Sequence, residues 1–230
     1  MPSSITAIFT TTGADSAQII SKLRNESPDI STVSSSWSLT HSLHRSTSTP
    51  SSQPNAAARL QSLQLSHHPS TTFSCGTTID ADHSNKTTTI AVPRDKENDA
   101  DFRRLLQDKF GLMWQWSKQG EMRASGAQLK LPLFLITVAD LSRDRGAASG
   151  GMESRGTLVA VSLLGDNHSE PGRFAEARSL IGNICEDLGL HISTAAAWGD
   201  CGTWQGETEL WCQVLWQHAT TAARPTKPKD

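Results

Sequence analysis

The stretch SWSLTHSLHR, residues 36–45, sets Ser42 two positions before His44. A serine near a histidine is the start of a nucleophile and its general base, and the chemistry would be hydrolysis through an acyl intermediate. That reaction also needs the serine on a strained turn and backbone amides gathered to receive an oxyanion. The chain has no Gly-x-Ser-x-Gly, and nothing glycine-rich flanks Ser42. Cys201 in GDCGTW, residues 199–204, is a second candidate nucleophile, with His191 upstream. No clear helix-opening pattern follows it, so the simpler reading is a glycine turn presenting a buried thiol. His67, His68, Cys75 and His83 are of metal-ligating type. Structural zinc sites set ligand pairs two to four residues apart, and here only the adjacent histidines pair, so no metal site is expected. GAASGG, residues 146–151, lacks the Lys-Ser/Thr of a phosphate loop. No catalytic or cofactor-binding constellation emerges. The alternatives to a macromolecular scaffold are a small hydrolase with an unrecognised Ser/His or Cys/His site, and a barrel that binds a small molecule in an apolar cavity.

The same ten residues read differently as structure. Trp37, Leu39, His41 and Leu43 share one parity, while Ser36, Ser38, Thr40, Ser42 and His44 share the other. Side chains alternate across a strand, so this is a half-buried strand with one dry side. Its core is Trp37, Leu39 and Leu43; its hydroxyls and imidazoles should meet solvent or a partner. Ile5, Ala7 and Phe9 alternate in a first strand over residues 4–10. Thr12 or Asp15 can cap a helix reaching about residue 25, with Ile19, Ile20 and Leu23 inward and Pro28 barring continuation. RSTSTPSSQPNAAA, residues 45–58, has nothing apolar larger than alanine and reads as a mobile loop. Leu63 to Leu65, Phe73 to Ile79 and Thr87 to Val92 are short alternating strands, which favours an antiparallel sheet or barrel.

Asp99 can cap a helix to about Phe110, and Leu112, Trp114 and Trp116 share one strand face. A long apolar strand is expected from Leu129 to Leu141, bulged or broken at Pro132. A Gly- and Ser-rich link over residues 142–156 leads to a strand at Thr157 to Leu164. Asp140, Arg143, Asp144 and Arg145 look like the solvated entrance of that hairpin. Phe174, Ala177, Ile181, Ile184, Cys185 and Leu188 fall on one face of a helix over 172–188, stopped by Gly189. Glu207 to Ala219 reads as a last helix. Leu210, Trp211, Val214, Leu215 and His218 lie on one side, with Trp216 nearly opposite and Cys212 beside it.

The 230 residues suit one domain with a real core. A net charge of -2 carries no basic footprint for nucleic acid. The apolar run from Leu131 to Ala139 is too short to span a bilayer. No charged leader precedes an apolar segment, so the sequons at Asn25, Asn85 and Asn167 should be silent. The cysteines at 75, 185, 201 and 212 show no Cys-x-x-Cys spacing and read as reduced core thiols.

The order of segments resembles the Mediator complex subunit 20 family in its fungal form. Met1-Pro2, Ile8-Phe9 and Leu23-Arg24 match its opening strand and helix. Trp37, His41, Leu43 and Arg45 match its next strand, and LQLSHHP, Leu63 to Pro69, its Leu-x-Leu-Ser-His-x-Pro run, with Phe73 after it. FLITVADLSR resembles its strand into Ala-Asp-Leu-x-Arg, and RGTLVAV, Arg155 to Val161, its following strand; the helix over 172–188 completes the series. Ala7 and Thr10 depart from the family's glycine and proline, and the resemblance runs over about residues 1–190. It implies an α+β fold, an antiparallel β-barrel like those of Mediator subunits 18 and 20 with flanking helices, and no catalytic residues. It also implies a nuclear subunit of the Mediator head module that pairs with the barrel of subunit 18 and is tethered through subunit 8. RNA polymerase II machinery would be reached indirectly, without direct contact to nucleic acid or membrane. The expected domains are the barrel over 1–190, holding the 45–58 loop, and a Trp-rich helical segment with a polar tail over 191–230. In that last segment the Trp211 side should pack on the barrel, while Trp216, with Cys212, is the expected partner-binding surface.

Overall fold

A computed structural model describes residues 4–46, 59–79, 85–94, 114–145, 151–165, 172–192 and 196–220. The expected helix over 99–110, residues 47–58 of the expected loop, His83 and Leu112 lie outside these residues. Among the described residues, nine strands and three helices follow in the order β1 (Ser4–Thr11), α1 (Ser16–Glu26), β2 (Ser31–Ser46), β3 (Arg59–Leu65), β4 (Thr71–Ile79), β5 (Asn85–Pro93), β6 (Trp114–Lys130), β7 (Phe134–Asp144), β8 (Met152–Leu164), α2 (Arg173–Asp187), β9 (Ala197–Asp200) and α3 (Trp204–Thr220). The strands form one sheet in the order β5-β4-β3-β2-β6-β7-β8-β1-β9. Every pairing is antiparallel, and the sheet curls into a half-barrel.

Alternation along the strands divides the apolar residues between two cores. On the concave side, Ile8, Trp37, Leu39, Leu43, Leu63, Phe73, Met122, Leu141 and Leu158 close around Leu210, Trp211, Val214 and Leu215 of α3. On the convex side, Ala7, Phe9, Leu129, Ile136, Val138, Val159 and Val161 pack against Ile19 and Leu23 of α1 and Ile181 and Cys185 of α2. The strands β1, β6, β7 and β8 thus carry apolar residues on both faces. At Gly126 of β6 a side chain would overlap the Val138 carbonyl, so only glycine lets β7 lie this close.

The capping position of α1 is Asp15 rather than Thr12: the Gln18 amide donates to Asp15 Oδ1 at 2.8 Å, and the Asp15 amide donates to Gln18 Oε1 at 3.3 Å. Asp140 is not merely a solvated hairpin residue. It accepts from the Ser16 amide at 3.1 Å and from Ser16 Oγ at 2.7 Å, tying the first turn of α1 to β7.

Further expectations are corrected. Arg45 and Ser46 belong to the end of β2 rather than to a loop, paired with Gln115 and Trp114 of β6. The break expected at Pro132 is present, as a full turn: β6 ends at Lys130 and β7 begins at Phe134, with Lys130 paired to Leu135 across it. Phe174 does not join the inner stripe of α2 and is 42% exposed, whereas Ala177, Ile181 and Cys185 are buried. It lies in the first turn, where residues 173–176 are all exposed. On β2 the polar parity is wet only in its first part: Ser36 and Ser38 are exposed as expected, but Ser42 and His44 are only 5% and 7% exposed, and His41 on the other face is fully buried. The strand β9 has no counterpart among the sequence expectations, since four residues are too few for a periodicity; its pairing to β1 fixes it.

Candidate functional site

Ser42 and His44 lie toward the end of β2, opposite Ser62 and Leu60 of β3, and the pairing with β6 shifts register between His41 and Leu43. A strand residue at such a shift is not on the strained strand-to-helix turn that exposes a nucleophile. The adjacent His41 donates from Nε2 to Gln61 Oε1 at 2.8 Å, an amide partner rather than a carboxylate. Burial is the main cause that drops its pKa to about 4, with His44 adding to the drop and the Gln61 bond opposing it. His41 is therefore a neutral core residue at physiological pH.

Cys201 lies between β9 and α3, and a helix does open after it, at Trp204, contrary to the sequence reading. Burial pushes its thiol up to about 12, although a Thr6 hydrogen bond works the other way. A nucleophilic cysteine needs the opposite shift. The Cys75 and Cys212 thiols meet between β4 and α3; Cys212 is pushed up first by its hydrogen bond to Cys75 and then by burial. Cys212 is 1% exposed, while Trp216, one turn further along α3, is half-buried at the margin of the concave core. The two residues expected to act together at a surface are thus split between interior and rim.

The sequence reading missed the group that draws the two adjacent histidines together. His67 and His68 occupy the β3–β4 turn, held by His68 N–H to the Leu65 carbonyl at 3.0 Å and Thr71 N–H to the His68 carbonyl at 3.1 Å. Side chains of neighbouring strand residues diverge, but in this turn the two rings sit 4.6 Å apart on one side. Both point at Glu207 in the first turn of α3, His67 Nε2 at 2.8 Å from Oε1 and His68 Nε2 at 3.6 Å from Oε2. Trp211 Nε1 donates to the same carboxylate at 3.4 Å. Burial alone would raise the Glu207 pKa, yet the His67 bond and charge outweigh it and the net shift is downward. Phe73, edge-on to His68, stacks with Trp204 and walls the cluster on its inner side. The only sequence signal is the His-His pair itself, since Glu207 lies 140 residues from His67.

The fold and these contacts define an α+β protein whose curled antiparallel sheet is filled by its own last helix. The chain belongs to the family described as the TATA-binding related factor of subunit 20 of the Mediator complex, whose model matches residues 1–221. It is thus a Mediator subunit, a component of transcription regulation, and the match runs through α3, past the end of the resemblance read from the sequence. A solved protein of Pyrococcus horikoshii is similar at 11% identity and a TM-score of 0.44, with 90% of this chain and 98% of that chain covered. A chain of the Schizosaccharomyces pombe Mediator head module is similar at 10% identity and a TM-score of 0.42, with 81% and 94% covered. None of the curated proteins compared matches the chain.

Proposed function

We propose that the chain is a non-catalytic scaffold of the Mediator head module, acting in the nucleus through protein–protein contacts. Its chief neighbour is the related barrel of subunit 18, with subunit 8 as the tether. Through them it serves the RNA polymerase II machinery and makes no direct contact with nucleic acid. The observation that carries this reading is the filled groove: where a ligand-binding barrel keeps a cavity, this sheet holds Trp211, Val214 and Leu215 of its own helix. Within residues 1–190 lie β1 to β8 of the barrel; beyond them β9 adds an edge strand and α3 fills the groove. Trp216 on the rim is the partner anchor; Cys212, buried one turn earlier, supports it without touching the partner.

Copurification with the tagged chain tests the assembly. Other Mediator subunits are expected, and a set lacking them overturns the reading. For the anchor, Trp216→Ala should leave thermal unfolding nearly unchanged and weaken the pair with subunit 18 by about 2 kcal/mol, roughly thirtyfold. Equal damage to folding from Trp216→Ala and Trp211→Ala would end the anchor assignment.

A further inference from the structure

Two histidines and one carboxylate converge at the rim where the β3–β4 turn meets α3. The ligating atoms of His67, His68 and Glu207 all lie within 4.8 Å of one another. In a tetrahedral zinc site with bonds of about 2.0–2.2 Å, neighbouring ligand atoms sit about 3.3 Å apart. His67 Nε2 stands 2.8 Å from Oε1 of Glu207 and His68 Nε2 3.6 Å from Oε2, each within about half an ångström of that spacing from its own carboxylate oxygen. Small side-chain rotations would close the set around one ion.

A histidine–carboxylate hydrogen bond accounts for His67 but not for its neighbour. His68 Nε2 is buried and lacks a hydrogen-bond partner among the described residues, its nearest carboxylate oxygen standing 3.6 Å away. A buried ring nitrogen without a partner is costly, and a metal ion is one of few groups that would take its lone pair and that of His67 together. The surroundings suit a cation as well. The carboxylate is braced by Trp211 Nε1 at 3.4 Å, the kind of outer contact that fixes a ligand's orientation. Phe73 and Trp204 shield the inner side from water.

We propose that His67, His68 and Glu207 bind a divalent ion of the zinc class, with a water in the fourth position, and that the ion clasps the β3–β4 turn to α3. Imidazole with a single carboxylate is the donor set that zinc accepts and that magnesium and calcium, which prefer oxygen, do not. The ion would add a cross-link between the sheet and the helix that fills it, so its binding energy would become folding energy.

The test is a titration of zinc chloride into the untagged, metal-free full chain, followed by calorimetry and by the imidazole ring signals in NMR. One equivalent should bind with a Kd of about 1 µM or tighter and raise the melting temperature. It should shift the signals of two of the eight histidines. His67→Gln and Glu207→Gln should each weaken binding at least about tenfold, and His191→Gln, at an exposed position elsewhere, should not. No saturable binding by the wild-type chain overturns the proposal. So does equal weakening in all three variants, or a gradual shift of many histidine signals. The wild-type spectrum decides the matter even if the variants fold poorly.

Discussion

Trp211→Ala should be among the most damaging single substitutions in the chain. The side chain is 3% exposed, its ring lies 5.5 Å from that of Trp37 with a tilt of 36°, and its indole N–H reaches Glu207. Aromatic-to-alanine changes in a core cost about 3–5 kcal/mol, the spread reflecting how far the site can collapse. Collapse is restricted here, because α3 touches β1, β2, β3, β4, β5, β6 and β9 and cannot move toward one strand without leaving another. The cost should therefore fall near the top of the range, about 4–5 kcal/mol, with the lost Trp37 pairing included. For a chain of this size each kcal/mol moves the melting point by about 2–4 °C, so the midpoint should drop by about 8–20 °C. Urea unfolding by fluorescence and far-UV circular dichroism would check the free energy, with coincident transitions confirming a single cooperative unit. A loss below about 1.5 kcal/mol would mean that α3 does not fill the sheet, and the filled-groove argument for a scaffold would fall with it.

Ile181→Ala on α2, fully buried, should cost about 2–5 kcal/mol, whereas Phe174→Ala, at 42% exposure, should stay within about 1 kcal/mol of wild type; denaturant unfolding reads both. Asp140→Ala leaves the Ser16 amide and hydroxyl without their acceptor and should cost about 1–2 kcal/mol, with faster amide exchange in α1 than in α2. His41 gives a pH dependence. Its folded pKa, about 4, lies below its unfolded 6.5, so the unfolded chain binds the extra proton between these values. Stability is full above pH 6.5 and falls as the pH drops toward 4, by on the order of 3 kcal/mol for this group. His218, lowered mainly by burial, adds in the same direction. His41→Gln should flatten the fall measured by urea unfolding at stepped pH, and an unchanged slope would refute the assignment.

Local periodicity makes most strands and all three described helices readable from the sequence, because each buries a face that recurs every two or every 3.6 residues. The failures share a cause in burial set by distant segments. Reasoning from parity breaks down after Pro132, since β7 sends residues into both cores. Ile136 and Val138 are therefore buried on one parity and Ala139 and Leu141 on the other. Leu133, in the same apolar run, is instead 57% exposed in the turn between β6 and β7. At β2 the alternation of Trp37, Leu39 and Leu43 identifies the core face correctly, but no sequence pattern says that Ser42 and His44 on the opposite parity are covered as well. Phe174 errs the other way: the stripe on α2 is continuous in sequence, while its burial begins only at Ala177. The candidate site is the least legible part. Adjacent histidines carry no ligand spacing, and only the folded chain brings Glu207 to them.

The motifs behind the family resemblance become intelligible once their places in the fold are known. Three of them are weak as patterns because each marks a joint between distant segments rather than a repeated face. His67 of LQLSHHP links the β3–β4 turn to α3 through Glu207. Asp140 of FLITVADLSR holds the start of α1 against β7. Gly156 of RGTLVAV sits at the register shift between β7 and β8 with a φ of 97°, and a side chain there would press on the Thr11 carbonyl of β1. A joint constrains one residue at a time, since a carboxylate or a glycine does its work without help from its sequence neighbours. The collinear order of three such residues is therefore more informative than any of them alone: it ties the β3–β4 turn to α3, the start of α1 to β7, and the register shift of β8 to the glycine that lets β1 lie against it.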